Sequence, residues 1–347
     1  MKRRPGSAVA AAALALAGAL TAGCGPSAAH LWAQPKVATV WPLPPAPPRV
    51  RHEGTITAGQ ALRFSRGRFV LLDLLFGPRR LQLVTPHGVA VNERLVAIAD
   101  SGRAELHLVS LAERKYRAVT AIGDARLRCP VGVALDGTGG VFVSDSVLRR
   151  VFRVSERGGL LGEVAGKFVR PAGLAYDAAR GRLFVVDAGA HAVLVFERQG
   201  DGFALARTLG GRGEAAGGFN FPTHAAVGRD GSLYVTDSLN HRIQIFDAEG
   251  RRVGAFGRAG DGTGDFAKAK GIALDSEGHI YVVDSLYDVV QVFDHEGRLL
   301  LVFGGSGRDA ASLWLPTGIC IDEKDRIYVS DSANSRVQVY QYLRESE

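Results

Sequence analysis

The chain has few cysteines and no long apolar run. It contains 3 cysteines in 347 residues, and none stands in a Cys-x-x-Cys-His motif, so we expect no c-type haem of its own. The apolar stretch at residues 8–20 is too short to cross a bilayer as a helix. Basic residues outnumber acidic ones, 42 to 35. They are not interleaved with aromatic side chains that could stack on bases, which argues against a nucleic-acid partner.

The N-terminus has the parts of an export signal. Residues 2–4 are basic, the apolar stretch follows, and the small residues 21–23 come directly before Cys24. Small residues before a cysteine resemble a lipobox, in which the thiol is acylated and the cysteine becomes the new N-terminus. We therefore expect residues 1–23 to be a lipoprotein signal peptide and Cys24 to be the lipidation site. An ordinary secretory signal, cut at a small-residue site, is the alternative.

A proline-rich segment follows the predicted anchor. Residues 24–48 contain a run of prolines from Pro42 onward, and such runs favour an extended conformation of about 3.1 Å per residue. We expect this segment to be a tether that holds the rest of the protein up to about 70 Å from the membrane. The predicted location is outside the cytoplasm, lipid-anchored to the cell membrane or the outer membrane.

A pattern recurs six times between Pro86 and Tyr340. Each copy begins with Pro-x-Gly-hydrophobic-Ala or a near variant and reaches a β-rich run that ends at an aspartate, usually followed by serine. These aspartates are spaced by 45, 42, 50, 47 and 47 residues, and they are Asp100, Asp145, Asp187, Asp237, Asp284 and Asp331. A period in the forties indicates a repeated supersecondary unit.

One copy shows that the unit is built of strands. Residues 271–274 and 280–283 read as two strands joined by turn residues, and 289–293 and 299–303 read as two more. A four-stranded unit has two open edges and an apolar face that needs neighbours arranged radially. We therefore predict an all-β fold, a six-bladed β-propeller of four-stranded blades over residues 49–342.

Large and small apolar residues recur at fixed places in the six copies. The large ones open each repeat, and we expect them to plug the gaps between blades: Leu83, Leu127, Phe168, Phe219, Phe266 and Leu313. The small ones lie on the predicted inner strands, where blades crowd around the axis: Ala90, Ala134, Ala175, Ala226, Ala273 and Cys320. Cys129 and Cys320 fall in blades that are not adjacent, so we expect two free thiols.

The fourth copy carries a family resemblance. Residues 221–247 resemble the NHL repeat closely, including Asn240, His241 and Arg242, and residues 328–340 resemble it nearly as well. The first and third copies lack the Asn and the Arg. The resemblance covers about four fifths of the chain and implies a six-bladed NHL-type propeller of the bacterial envelope lipoprotein type.

Closure of the ring needs a strand from outside the repeats. The sixth copy stops at residues 340–342 without an outer strand. Residues 49–57 and residues 69–76 are the two candidates. We favour 49–57 as the closing strand and expect 68–76 to be a helix that caps the barrel mouth or a blade edge.

Two histidines on the predicted inner strands raise the question of a metal. His224 stands where the other copies have glycine, and the Pro86-His87 step is similar to one in the amidating lyases related to NHL proteins, which use histidine ligands for zinc. The two residues occupy adjacent registers, which point to opposite faces of a strand. A third imidazole at an equivalent position is missing. We predict no catalytic residue, metal or cofactor, with a metal-dependent lyase or hydrolase in the central channel as the alternative.

Long glycine-rich segments lead into the last three copies. They span residues 210–220, 257–266 and 304–314, and loops on a rigid scaffold commonly carry recognition. Besides His87 and His224, the candidate ligand-binding residues are His241, Tyr287, Trp314, Arg212, Arg258 and Arg308. We predict a monomeric propeller that binds an envelope protein or ligand, or acts as a scaffold for it; simple connection of the blades is the alternative role of these loops.

Overall fold

The computed structural model describes residues 32–35, 38–43, 46–57, 81–111, 113 and 115–344. The predicted signal peptide, Cys24 and the predicted helix at 68–76 lie outside these residues. Within them, no helix has the length and apolar character needed to span a membrane.

Antiparallel sheets account for most of the described chain, and the first two strands precede the repeats: β1 (Val40–Trp41) and β2 (Val50–Thr57). Blade one contains β3 (Pro86–Val91), β4 (Leu95–Asp100), β5 (Glu105–Ser110) and β6 (Lys115–Val119). A short hairpin follows, formed by β7 (Ala121–Ile122) and β8 (Ala125–Arg126). Blade two contains β9 (Pro130–Leu135), β10 (Gly140–Asp145), β11 (Arg150–Ser155) and β12 (Leu160–Glu163).

The remaining blades repeat this order from the axis outward. Blade three contains β13 (Pro171–Asp177), β14 (Arg182–Asp187), β15 (Ala192–Gln199) and β16 (Gly202–Gly210). Blade four contains β17 (Pro222–Val227), β18 (Leu233–Asp237), β19 (Arg242–Phe246) and β20 (Arg252–Phe256). Blade five contains β21 (Ala269–Leu274), β22 (Ile280–Asp284), β23 (Val289–Phe293) and β24 (Leu299–Gly304). Blade six contains β25 (Pro316–Ile321), β26 (Arg326–Asp331) and β27 (Arg336–Tyr342), and single 3₁₀ turns lie at Ser238–Asn240 and Ser332–Asn334.

The inner strands form a closed ring. Each of β3, β9, β13, β17, β21 and β25 contacts the inner strands of both neighbouring blades, and β25 contacts β3. The prediction of a six-bladed β-propeller is therefore confirmed. The first residues of an inner strand pack very closely on the next blade: a Cβ added to Gly132 would lie 2.1 Å from the carbonyl oxygen of Ala172. Glycine at this position is a packing requirement in five of the six blades, and blade four has His224 there.

Apolar clusters fill the wedges between consecutive blades. Phe219 is fully buried and packs with Phe184 of blade three and Leu233 of blade four. Phe266 and Leu313 occupy the same place between the next pairs of blades. Large side chains at this position therefore plug the gaps, as predicted, and burial of each aromatic plug stabilises the fold by roughly 2–3 kcal/mol.

The N-terminal strand closes the ring in the predicted way. β2 pairs antiparallel with β27, with Ile56 opposite Val337 and Val50 opposite Tyr342. Residues 50–57 thus supply the outer strand that blade six lacks, in agreement with the predicted segment 49–57. β2 alternates buried and exposed residues, which matches a strand with one face in the core.

Part of the predicted tether is packed onto the propeller. β1 pairs with β2 and makes blade six five-stranded. Trp41 lies 5.9 Å from Phe303 and 5.8 Å from Tyr340, measured between ring centroids, and Ala33 forms an isolated bridge with Thr55. The tryptophans of this segment thus make contacts with blade six, where their rings gain apolar burial that they would lack in water. The role of residues 24–48 as a tether stays a prediction.

The six repeated aspartates are architectural. All are fully buried and accept backbone N–H groups from the residues that follow the plug; Asp100, for example, accepts from Val84 at 2.7 Å and Thr85 at 3.0 Å. Asp237 and Asp331 also pair with an arginine of their own blade, Arg242 at 2.8 Å and Arg336 at 2.6 Å. Each aspartate ties the start of its blade to the end of the second strand.

Candidate functional site

One face of the propeller carries the long segments. The start of each inner strand lies beside the end of the second strand, as in the Pro222–Asp237 and Pro316–Asp331 pairs. We call this the loop face; it contains the segments entering the last three blades, at 210–220, 257–266 and 304–314, and the turns at 238–241, 285–288 and 332–335. The opposite face carries the turns between the first two strands of each blade.

The segment that enters blade four is held in place by side chains of that blade. Asn240 Nδ2 donates to the Gly213 carbonyl at 3.0 Å, Arg242 donates to the carbonyls of Ala215 and Gly218, and Gln244 donates to Gly218 at 2.7 Å. Gly217 N–H in turn donates to Gln244 Oε1 at 3.0 Å. These bonds satisfy backbone groups that a mobile loop would expose to water, so the segment has a defined conformation.

The segments of blades six and five are held in the same way. In blade six, Asn334 donates to the Gly307 carbonyl at 2.9 Å, and Arg336 and Gln338 both donate to the Ser312 carbonyl. In blade five, Tyr287 replaces the asparagine, and its hydroxyl donates to the Gly260 carbonyl at 2.5 Å. Tyr287, a predicted ligand-binding residue, therefore braces its own loop.

Several predicted recognition side chains project from this braced surface. The Arg308 guanidinium lies 4.4 Å from the Trp314 ring centroid, and Trp314 is 36% exposed. Arg258 pairs with Asp265 at 2.7 Å while its side chain remains 82% exposed. Arg212 is exposed in the segment that enters blade four. Trp314 and Arg308 form the one aromatic-cation pair among the predicted residues.

A set of contacts between blades was not expected from the sequence. The residue that follows the turn after each second strand has positive φ in all six blades: Ala104, Arg149, His191, His241, Asp288 and Ser335. In four blades its side chain bonds the backbone that enters the next blade. His241 Nδ1 donates to the Phe266 carbonyl, Asp288 accepts from Leu315 N–H, and Ser335 donates to the Val84 carbonyl. Because the side chain at this position differs from blade to blade, the sequence alone does not indicate this shared role.

The loop-face end of the central channel contains three basic side chains from different blades. His87 and Lys270 stand at the second position of their inner strands, and His224 stands at the third position of β17. Burial, followed by the charges of Lys270 and Arg170, lowers the pKa of His87 to about 4. Burial, followed by His87 and Lys270, lowers the pKa of His224 to about 3. The two histidines therefore influence each other, although they occupy different registers.

The other end of the channel opens into a cavity of about 530 Å³. Inner-strand side chains such as Val91, Leu135 and Leu274 line it, and Glu93 and Arg94 stand at its rim. Cys320 is part of its wall, and burial raises the pKa of this thiol to about 11. Cys129 and Cys320 are both free thiols, as expected.

Within the described part of the chain, no group of three or more His, Cys, Asp or Glu side chains is placed to share a metal ion. His87 and His224 have no third such partner there. The arrangement at the loop-face end of the channel is thus two neutral imidazoles beside cationic side chains.

Family models match three parts of the propeller. Residues 227–299 match a six-bladed β-propeller family, in agreement with the ring observed here. Residues 168–196 and 313–340 match the NHL repeat. The chain thus contains NHL repeats within a six-bladed β-propeller. The matched third repeat lacks the Asn and the Arg, so the fold of the repeat tolerates their loss.

Solved structures share this fold at low sequence identity. A protein of unknown function from Bacteroides thetaiotaomicron is 18% identical with a TM-score of 0.59, over 75% of this chain and 70% of that one. Virginiamycin B lyase from Staphylococcus aureus is 13% identical with a TM-score of 0.55, over 76% and 98%. A chain of a nidogen/laminin complex is 18% identical with a TM-score of 0.53, over 70% and 86%. No curated protein matches the sequence.

Proposed function

We propose that the protein is a binding or scaffold module of the bacterial cell envelope, anchored by lipid at Cys24, whose loop face recognises a protein partner. The observation that carries the proposal is the Arg308–Trp314 pair, which stands exposed on a segment fixed by Asn334, Arg336 and Gln338. A rigid surface loses little conformational entropy on binding.

The composition of the pair favours a protein partner. Tryptophan and arginine are the residue types most enriched among the side chains that dominate protein interfaces. Trp314 keeps part of its ring in water while its backbone N–H is held by Asp331 at 2.7 Å. A partner that covers the ring would gain apolar burial without any need to reorder the backbone.

Support for the envelope location comes from the sequence of residues 1–24. A basic cluster, a short apolar stretch and small residues before a cysteine together fit a lipoprotein signal. Incorporation of labelled palmitate in the producing bacterium tests this part alone. Label in the wild type that is lost in Cys24→Ser supports lipidation, and an unlabelled wild type contradicts it.

Capture from membranes tests the loop face. The intact protein is crosslinked in membranes, and the captured proteins are compared between wild type, a Trp314→Ser/Arg308→Ser double variant, and an Arg94→Ser/Lys324→Ser control on the opposite face. A partner present with wild type and control, and reduced at least tenfold with the double variant, supports the proposal. Equal capture by all three proteins, or recovery of the wild type alone, contradicts it.

A further inference from the structure

Three of the inner strands carry a basic side chain at the end that faces the loops. Five of the six strands have glycine at their third position, and β17 has His224 there. The second position holds His87 in β3 and Lys270 in β21, whereas it holds Val131, Ala172, Thr223 and Thr317 in the others. The ring itself therefore does not require these basic residues.

The glycine of the preceding blade makes room for His224. A Cβ at Gly173 would lie 2.7 Å from His224 Cα and 3.2 Å from His224 Cδ2. Nδ1 and Nε2 of His224 are both buried and make no hydrogen bond of ordinary geometry, while a polar contact with the Lys270 backbone acts against the lowered pKa. Nδ1 of His87 is buried and unpartnered as well. Buried polar atoms without a partner cost stability, and a ligand that bonds these three atoms would remove that cost.

Among the described residues, no carboxylate forms an ion pair with the cations around these imidazoles. Lys270 is half-buried, and the charge that acts on it is the like charge of Lys268. Besides burial, the positive charge of Arg170 lowers the pKa of His87, and the positive charge of Lys268 lowers the pKa of Lys270. The one nearby carboxylate that acts on His87, Asp100, already accepts N–H groups from Val84, Thr85 and Arg103. The end of the channel is therefore positively charged and unsatisfied.

We propose that this end of the channel binds a small anion of the carboxylate or phosphate type, held by the ammonium of Lys270 and by the imidazoles of His87 and His224. Hydrogen bonds from charged donors to an anion are about twice as strong as neutral ones. A divalent metal fits less well, since Lys270 and Arg170 repel it and only two imidazoles are available. This site is independent of the Trp314 surface, and either can fail without the other.

Binding is expected to strengthen as the pH falls. Without ligand, burial keeps both imidazoles neutral, with pKa values of about 4 and about 3. An anion favours their protonated forms and binds with proton uptake. The charged groups that face the two imidazoles are Lys270 and Arg170, with Asp100 as the opposing charge. Burial, and after it the charge of Lys268, lowers the pKa of Lys270 to about 8. Deprotonation of Lys270 adds to the loss of affinity at alkaline pH.

Calorimetric titration of the full-length protein with citrate and with inorganic phosphate tests the proposal. The variants take residues found in other blades, so that the ring can fold: Lys270→Thr, His224→Gly and His87→Val. Lys324→Gln, on the opposite face, is the control. We expect affinity to fall at least tenfold in Lys270→Thr and at least fivefold in each histidine variant, and to be unchanged in the control. Whichever probe binds more tightly identifies the ligand as carboxylate or phosphate.

Three outcomes would overturn the anion site. The first is the absence of binding of both probes to the wild type at about 10 mM, and the second is binding that the three variants leave unchanged. The third is stoichiometric zinc in the wild-type protein that is lost in His87→Val and His224→Gly, which would identify a metal site instead. Circular dichroism and unfolding midpoints of each variant establish that a loss of binding is not a loss of fold.

Discussion

His241 Nδ1 lies 2.9 Å from the carbonyl oxygen of Phe266 and joins blade four to the chain that enters blade five. His241 has φ of 52°, a left-handed conformation that costs a non-glycine residue about 1 kcal/mol. Phe266 is the plug between the same two blades and is fully buried. The hydrogen bond therefore fixes the backbone of the plug, and it explains why a strained residue with a long polar side chain is accommodated there.

Replacement of His241 tests this tie. His241→Ala keeps the strain and loses the hydrogen bond, so we expect it to lower the free energy of unfolding by about 1 kcal/mol. His241→Gly loses the same bond but removes the strain, and we expect a smaller loss. Urea unfolding measures both variants. An alanine variant as stable as the wild type would show that the bond contributes nothing.

The closing strand is tested at Ile56. This side chain is 1% exposed and faces the core from β2. We expect Ile56→Ala to lower the free energy of unfolding by about 2–5 kcal/mol. Thr57→Ala, at the next and partly exposed position of the same strand, is the control and should cost less than about 1 kcal/mol. A similar small effect of both replacements would mean that β2 does not contribute to the core in solution.

Tyr287 tests the bracing of the loops. Tyr287→Phe removes the hydroxyl that donates to Gly260, so we expect faster amide hydrogen exchange in residues 257–266 and little change in stability. Tyr287→Asn introduces the residue that braces the loops of blades four and six, and exchange there should stay close to that of the wild type. Mass spectrometry resolves this segment from residues 304–314, which should be unaffected. Unchanged exchange in the phenylalanine variant contradicts the bracing role.

The channel histidines make stability depend on pH. Their folded-state pKa values are about 4 for His87 and about 3 for His224, whereas an unfolded histidine titrates near 6.5. The unfolded state therefore binds more protons at mildly acidic pH, and stability is lost as the pH falls below about 6.5, by up to about 1.4 kcal/mol per pH unit for each histidine. The double variant His87→Val/His224→Gly should show a shallower loss in urea unfolding between about pH 7 and pH 4.5. A loss as steep as that of the wild type would indicate that the imidazoles are exposed to water.

Cys320 is expected to react slowly with alkylating reagents. Its pKa of about 11 leaves about two hundredfold less thiolate near pH 8 than in an ordinary cysteine. Mass spectrometry of the peptide that contains Cys320 should show iodoacetamide labelling slowed to a similar extent, and urea-unfolded protein should label at the ordinary rate. Labelling of the folded protein at the ordinary rate would contradict the raised pKa of this thiol.

The propeller could be predicted because its signals repeat. The aspartate period, the plug residues from Leu83 to Leu313 and the small residues around the axis each recur in six blades, and errors in one copy are corrected by the others. The closing strand at residues 50–57 followed from the missing outer strand of the last repeat. The packing of Trp41 on Phe303 did not, because a contact between residues so distant in the chain leaves no periodic pattern.

The functional roles of single residues were harder to predict. Tyr287 and His241 looked like candidates for recognition because they differ from other copies, yet both bond backbone carbonyls, as Asn334 and Ser335 do with different side chains. Lys270 could not be identified as a candidate from the sequence, because its position beside His224 depends on the radial order of the blades.

Thr55 and Gln338 meet in blade six across a sequence separation of 283 residues. Blade six can therefore be completed only when nearly the whole chain has been synthesised. Until then β2 can pair with β1, but its edge toward β27 has no partner. Contacts between such distant residues form slowly because the chain entropy is lost before they can form. We expect closure of the ring to be the late step in folding, and an exported chain to complete it only after translocation of its last repeat.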